Sequence, residues 1–133
     1  HKLPWVLGRQ LERDAELSFI EYHALARLSE DPNHILRMSE LAAVTNSSLS
    51  RLSHLIKRLE DRGFVRREPD SEDGRFTNAF LTRSGYAKLV ESAPAHVATV
   101  RTLVIDGFSA GELQQLRAAA ERIVARIEAA DSA

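Results

Sequence analysis

Cysteine is absent from the 133-residue chain, and Met38 is its one sulfur-containing residue. This excludes disulfide frameworks, thiolate metal sites, iron–sulfur clusters and thiol-based peroxide sensing. Long apolar runs are also missing, and no segment approaches the roughly 20 apolar residues that cross a bilayer. No secretory hydrophobic region is visible at the start. The sequence begins at His1 without a methionine, and we expect that residues precede it.

Patterns for metal binding and catalysis are equally scarce. The histidines considered as zinc ligands are His23, His34, His54 and His96. No two of them are four positions apart, which is the spacing of a helical zinc site. Ser50 and Ser53 lie close to His54 in sequence, but near neighbours on a helix do not face each other, and no carboxylate is placed to orient the histidine. No glycine-rich loop could cradle a phosphate. We therefore expect no metal, no cofactor and no enzymatic activity.

Length and composition indicate one globular domain. A chain of 133 residues can bury a core but is short for two lobes with a cleft between them. Hydrophobic residues make up 44% and charged residues 28%, close to the averages of folded soluble proteins. We expect a single domain over residues 1–133.

Positive charge is concentrated in the middle of the chain, although the net charge is only -1. Residues 46–88 carry nine basic and six acidic side chains, whereas acidic residues are in excess before and after them. Within 46–67, six basic side chains stand against two acidic ones. Such a patch suits a polyanion, but a solvated basic helix face has the same composition, so charge alone does not decide.

The first half of the chain favours helices. Apolar periodicity predicts helices at 5–13, 19–29 and 40–44, with an extended segment at 35–38. Ser18 and Glu21 have capping-box spacing at the start of the second helix, and Pro32 favours its termination. The third helix should begin after Ser39, and its expected inward residues are Leu41, Ala42 and Val44.

Residues 47–61 predict a strongly two-sided helix. One arc of roughly 120° on a helical wheel is apolar, and its residues are Leu49, Leu52, Leu55, Ile56 and Leu59. An opposite arc of roughly 160° is polar and basic, and contains Ser47, Ser50, Arg51, Ser53, His54, Lys57 and Arg58. Gly63 is expected to end this helix in a left-handed conformation.

A hairpin and two helices should follow. The pattern predicts strands at 64–68 and 76–81 around a turn at 70–74, with Arg75 near the tip. Thr82 should cap a long helix that Pro94 kinks. Ser109 and Glu112 form a second expected capping box, for a last helix that continues to about residue 130.

This order of elements is that of a winged helix-turn-helix. We expect a mainly α fold with a small β-hairpin wing: a DNA-binding lobe at about 19–88 and helical dimerisation segments at about 1–17 and 89–133. The polar face of residues 47–58 supplies the small hydroxyls and cationic donors that a helix needs in the major groove. Arg75 on the hairpin could reach the adjacent minor groove, whose negative potential attracts a guanidinium.

The sequence also resembles the MarR family of bacterial transcriptional regulators. The resemblance lies in Leu41-Ala42, in the segment from Leu49 to Arg67, and in Asp73-Gly74-Arg75 followed by Leu81 to Gly85. It implies a cytoplasmic, nucleoid-associated homodimer that represses or activates transcription at an inverted-repeat operator in double-stranded DNA. It also implies control by a small aromatic or phenolic effector.

The family's roles can be carried over by position. The resemblance implies that bases are read by Ser50, Arg51, Ser53 and His54, and that Lys57 and Arg58 fall near phosphates. It also implies that Asp73 orients Arg75, which would enter the minor groove. Gly74 departs from the family, in which a second arginine is frequent at that position. Together with two serines at the helix start, the expected DNA-binding residues are Ser47, Ser48, Ser50, Arg51, Ser53, His54, Lys57, Arg58, Asp73 and Arg75.

Two further expectations concern partners. The terminal helices carry more apolar surface than the central lobe can cover, so a symmetric dimer is favoured over packing of the last helix on the first. Such a dimer predicts half-sites about 10 bp apart. By chain order, the effector candidates are Trp5, Arg9, Tyr22 and His23, although core or interface aromatics have the same pattern.

One alternative function remains open from the sequence. A winged helix can serve as a protein-interaction module without specific DNA binding, with its basic face merely solvated. Salt separates the two hypotheses, because phosphate contacts weaken steeply with salt and apolar protein contacts do not.

Overall fold

The computed structural model describes residues 1–133 as two compact units, 1–96 and 97–133. Its helices and strands are α1 (Lys2–Ala15), α2 (Phe19–Glu30), β1 (Ile35–Arg37), α3 (Met38–Val44), α4 (Leu49–Asp61), β2 (Val65–Pro69), β3 (Thr77–Leu81), α5 (Arg83–Val100), a π-helical segment (Arg101–Ile105) and α6 (Ala110–Asp131). The predicted mainly α fold with a small β-wing is confirmed. None of the helices combines the length and apolar character that a bilayer crossing requires.

One hydrophobic core holds unit 1–96 together. It is built from leucines and other aliphatic residues of α1 to α4 and the sheet, and its largest fully buried side chains are Leu11, Leu17, Leu25, Leu28, Leu41, Leu52, Ile56 and Leu59. Four members of the apolar arc predicted for α4 are buried as expected. The prediction is wrong for Leu49, which is 54% exposed. Leu49 lies in the first turn of α4 and lines a surface groove instead of the core.

Local signals place most helix ends correctly. The Ser18 Oγ accepts from the Glu21 amide at 3.1 Å, and the Glu21 carboxylate accepts from the Ser18 amide at 2.9 Å. Gly63, with φ of 82°, ends α4 as predicted, and the Phe64 amide returns to the Leu59 carbonyl at 2.9 Å. These capping interactions fix the geometry at both ends of the segment that carries α4.

Two predicted helix starts shift by two residues. α3 begins at Met38 without a side-chain cap, not after Ser39. α4 begins at Leu49, and its cap is Ser48, whose Oγ accepts from the Arg51 amide at 3.2 Å. Val44, expected to face inward, is exposed at the end of α3. The buried face of α3 is formed by Met38, Leu41 and Ala42, and Val44 lies outside that face.

The sheet has three antiparallel strands in the order β1–β3–β2. β2 and β3 form the predicted hairpin, with Val65 opposite Leu81 and Pro69 opposite Thr77. The extended segment before α3 adds a third strand, in which Ile35 pairs with Phe80. The core-facing sheet therefore ties the wing to the helical lobe.

The helices after the wing run much as predicted. Thr82 Oγ1 accepts from the Gly85 amide at 3.0 Å at the start of α5, which continues through Pro94. The Ser109 and Glu112 capping box at the start of α6 is confirmed. The π-helical segment was not expected from the sequence. Neither it nor α6 contains a buried residue.

Candidate nucleic-acid interface

α4 presents a polar face to solvent because its apolar face is packed into the core. Ser50, Arg51 and His54 are exposed in its first half, and Lys57 and Arg58 are exposed in its second half. The side chains that sequence analysis assigned to DNA contact on this helix therefore share one accessible surface.

The basic residues of this region differ in how far their charges are compensated. Lys57 Nζ lies 2.7 Å from Asp61 Oδ1, and this contact raises the pKa of the lysine. Arg66 is paired with Glu68 at 2.8 Å. Arg51 and Arg58, by contrast, take part in none of the chain's ion pairs. On the α4 face, the charges of these two arginines are therefore not compensated by a carboxylate of the chain.

The wing carries a preorganised arginine. The Arg75 guanidinium forks onto the Asp73 carboxylate, with Nη2 to Oδ2 at 2.7 Å and Nε to Oδ1 at 3.0 Å. Hydrogen bonds from Arg75 hold the pKa of Asp73 below its usual range. The Arg75 side chain is still 85% exposed, so the pair fixes the direction of the guanidinium without burying it.

The loop beneath Arg75 is itself ordered by Asp70. Its Oδ2 accepts from the amides of Glu72 and Asp73, and its Oδ1 accepts from the side-chain amide of Asn78 on β3. These hydrogen bonds lower the pKa of Asp70. Gly74 has open space around it, so its lack of a side chain is not imposed by packing.

The serines predicted to contact DNA have distinct surroundings. Ser48 caps α4, and Ser47 Oγ lies 3.5 Å from the Thr45 carbonyl oxygen. Ser53 accepts a hydrogen bond from Arg67 Nη1 at 3.0 Å. Ser50 has no such side-chain partner and faces solvent. The four hydroxyl groups therefore do not form an equivalent set.

Sequence analysis missed two residues of this surface, Glu60 and Arg67. The Arg67 guanidinium is fixed by the Glu60 carboxylate, with Nη2 to Oε1 at 2.7 Å, and reaches Ser53 from β2. Both charges were counted in the basic patch as independent groups. The only available sequence signal was their opposite charge, because seven positions separate them on different elements.

Two grooves flank α4. One, of about 270 Å³, lies between α4 and the wing and contains Ser53 and Arg75 from the predicted set. Arg37 of β1 also lines it, with its guanidinium 4.1 Å from the centre of the Phe76 ring. The other groove, of about 500 Å³, is lined by Ser18, Phe19, Ile20, Ser47, Arg51, His54, Leu55 and Arg58. Ser47, Arg51, His54 and Arg58 of the predicted set thus line one groove, and Ser53 and Arg75 line the other.

The four effector candidates do not form one site. Trp5 is 61% exposed and stacks under the guanidinium of Arg9 at 4.9 Å, beside a shallow depression. Tyr22 is buried, and its ring lies 4.5 Å from that of His96 and 5.9 Å from that of His23. Burial raises the pKa of Tyr22 and lowers that of His23.

Known proteins resemble this chain in both sequence and fold. The family model described as MarR family matches residues 15–75. One similar structure is that of Sco3205, a MarR family transcriptional regulator from Streptomyces coelicolor, which was crystallised in complex with DNA. It is 44% identical to this chain, and the two structures superpose with a TM-score of 0.87. The match covers 93% of this chain and 77% of Sco3205. AbsC, a MarR family transcriptional regulator from the same organism, is 37% identical with a TM-score of 0.86, covering 96% and 88%.

A curated relative is more distant. The transcriptional repressor MprA of Escherichia coli (strain K12) is 27% identical over 107 residues, which are 80% of this chain and 60% of MprA. The match to this repressor therefore spans about three fifths of the relative's length.

Proposed function

The chain belongs to the MarR family of transcriptional regulators, which are not enzymes, and we propose that it is a homodimeric repressor that binds a specific DNA operator. α4 of each protomer enters a major groove, and Arg75 of each wing enters the flanking minor groove. We propose repression of transcription, and not activation, because the curated relative MprA is named a transcriptional repressor. The similar regulator solved in complex with DNA supports the choice of DNA as the partner.

The observation that carries this proposal is that unit 1–96 exposes two kinds of arginine: unpaired ones on α4 and a carboxylate-held one at the wing tip. Arg51 and Arg58 have no carboxylate partners, so phosphates can neutralise them without breaking an ion pair. Arg75 is held at the exposed wing tip by Asp73. Uncompensated cations suit phosphate contact, and an extended, oriented guanidinium suits a narrow minor groove.

Selection from a duplex library with a randomised core tests the proposed specificity. The purified chain should enrich an inverted repeat whose half-sites are centred about 10 bp apart, one helical turn. Arg75→Ala should weaken binding to the enriched duplex, with Arg66→Ala as a control because Arg66 is exposed but paired with Glu68 on β2. Enrichment of no sequence would contradict the proposal and favour a protein-interaction module.

Dimerisation is supported by the apolar residues that unit 97–133 leaves exposed. In α6, the side chains of Leu116, Ile123, Val124 and Ile127 are between 49% and 60% exposed. A helix with such a stripe and no buried residue is not stabilised by core packing. A second copy of the chain offers the same stripe, and a symmetric interface matches the two-fold symmetry of an inverted repeat.

Sedimentation velocity tests the dimer. The native chain should sediment as a dimer at micromolar concentration, and Ile123→Glu with Ile127→Glu should shift it to the monomer, because each protomer then brings charge into the apolar interface. Arg122→Glu with Arg126→Glu changes charge on the same helix and serves as the control. A native chain that stays monomeric at every concentration would contradict this part of the proposal.

The proposed effector is a small aromatic anion bound beside Trp5 and Arg9. The depression there holds about 240 Å³ and is also lined by Phe19, so it offers ring surfaces next to a guanidinium. Trp5 is the chain's single tryptophan, and its fluorescence therefore reports on this place alone. Salicylate should quench it saturably in the native chain and not in Arg9→Ala; linear quenching that is equal in both would contradict the assignment.

A further inference from the structure

The hydroxyl group of Ser53 differs from that of Ser50, the other serine within α4, because it accepts a hydrogen bond from a cationic side chain. Arg67 Nη1 donates to Ser53 Oγ at 3.0 Å. A guanidinium has donors and no acceptor, so the direction of this hydrogen bond is fixed by chemistry. Ser53 must accept in this contact.

Glu60 prevents Arg67 from turning away. Its carboxylate receives Arg67 Nε at 2.9 Å and Nη2 at 2.7 Å, and it also accepts from the Arg67 backbone amide at 3.2 Å. Both side chains are about three quarters covered. The guanidinium is thus fixed by the Glu60 carboxylate of α4, while one N–H group of Nη1 donates to Ser53.

The proton of the Ser53 hydroxyl has no acceptor within the protein. Elsewhere in the chain, helix hydroxyls donate to carbonyl oxygens of the preceding turn, as Ser29 does to Ala26 at 2.6 Å and Ser92 does to Lys88 at 2.6 Å. Ser53 makes no such bond. Its proton is therefore available toward the groove between α4 and the wing, and donation to a hydroxyl by a cation strengthens that hydroxyl as a donor.

We infer that the Glu60–Arg67 pair biases Ser53 toward donating its proton to the DNA base beneath it, so that this position discriminates against cytosine. Guanine presents two acceptors in the major groove, and cytosine presents the N4 amino donor. The Ser53 oxygen keeps a second lone pair. A cytosine amino group that approached it would meet the positive charge of Arg67 and leave the hydroxyl proton unsatisfied. The inference rests on the proposed function, and Glu60 and Arg67 act in it as positioning residues.

The test compares base preference in four proteins: the native chain, Ser53→Ala, the charge-neutral pair Glu60→Gln/Arg67→Met, and the matched control Arg66→Met/Glu68→Gln. Each is titrated against duplexes derived from the enriched operator, in which one base pair at a time is reversed from G·C to C·G. The control removes another ion pair of the same net charge from β2, so general electrostatic effects cancel.

In the native chain, reversal at the Ser53 position should weaken binding on the order of fivefold, the effect of one net hydrogen bond. Ser53→Ala and Glu60→Gln/Arg67→Met should both reduce that factor to about twofold or less at the same position, and Arg66→Met/Glu68→Gln should leave it unchanged. Folding of each protein is checked by circular dichroism, with Arg67→Leu replacing the double variant if that variant is unfolded.

The inference is overturned if Glu60→Gln/Arg67→Met keeps the native discrimination at the position that Ser53→Ala alters. It is also overturned if no position responds to Ser53→Ala, or if the double variant alters other positions instead. In those cases the native chain still selects an operator, and the proposed function stands. A native chain without any sequence preference contradicts both.

Discussion

Arg58 and Lys57 are neighbours on the exposed face of α4, but only the lysine is ion-paired, and this difference predicts different salt dependences of DNA binding. Arg58→Gln removes a charge that a phosphate can neutralise. Lys57→Gln with Asp61→Asn removes a pair whose atoms lie 2.7 Å apart, and leaves the net charge unchanged. Glutamine is a good helix former, so Arg58→Gln should not destabilise α4. Loss of the exposed Lys57–Asp61 pair should destabilise it only slightly.

The expected size follows from counterion release. Each phosphate neutralised contributes about 0.9 to the slope of log affinity against log salt, so two copies of Arg58 in a dimer contribute about 1.8. Between about 50 and 200 mM salt, a fourfold change, the native chain should lose about twelvefold more affinity than Arg58→Gln. The paired variant should keep nearly the native slope.

Fluorescence anisotropy with the enriched duplex measures these slopes. An unchanged slope in Arg58→Gln would refute the assignment of this arginine to a phosphate. An equally reduced slope in Lys57→Gln/Asp61→Asn would refute the argument that pairing with Asp61 withholds the lysine from DNA.

Two further predictions concern stability. In urea titrations, Gly85→Ala should lower the free energy of unfolding by about 1–3 kcal/mol or more, because the new Cβ would overlap the carbonyl oxygen of Phe64. Gly74→Ala is the control: its Cβ would contact no other atom, so the free energy of unfolding should change by less than about 0.5 kcal/mol. Burial, and secondarily the charge of His23, lower the pKa of His96 below 6.5, so the unfolded chain binds the proton more readily. Stability should therefore fall as the pH drops through about 6.5, and His96→Gln should weaken this fall in melting curves between about pH 7.5 and 5.5; an unchanged pH profile would contradict the contribution of His96.

The parts of the fold that follow from short-range chemistry were predictable. A capping box joins residues three positions apart, so Ser18 with Glu21 could be recognised from spacing alone. The left-handed end of α4 at Gly63 and the buried stripe behind it are equally local, because helical periodicity determines which residues share a face.

What the sequence did not reveal depends on packing between distant elements. Leu49 continues the apolar stripe of α4, but the core ends before that turn, and periodicity carries no information on where a neighbouring element stops. The contact of Arg67 with Ser53 and Glu60 requires β2 to lie beside α4. The separation of Trp5 from Tyr22 likewise depends on which faces of α1 and α2 are buried.

Binding of the full chain to DNA tests the central claim most directly. A fluorescent duplex carrying the chain's own upstream region is titrated from about 50 to 200 mM salt against a scrambled competitor. We predict tight binding that resists the competitor and weakens steeply with salt. Weak binding that the scrambled duplex displaces equally well would contradict it.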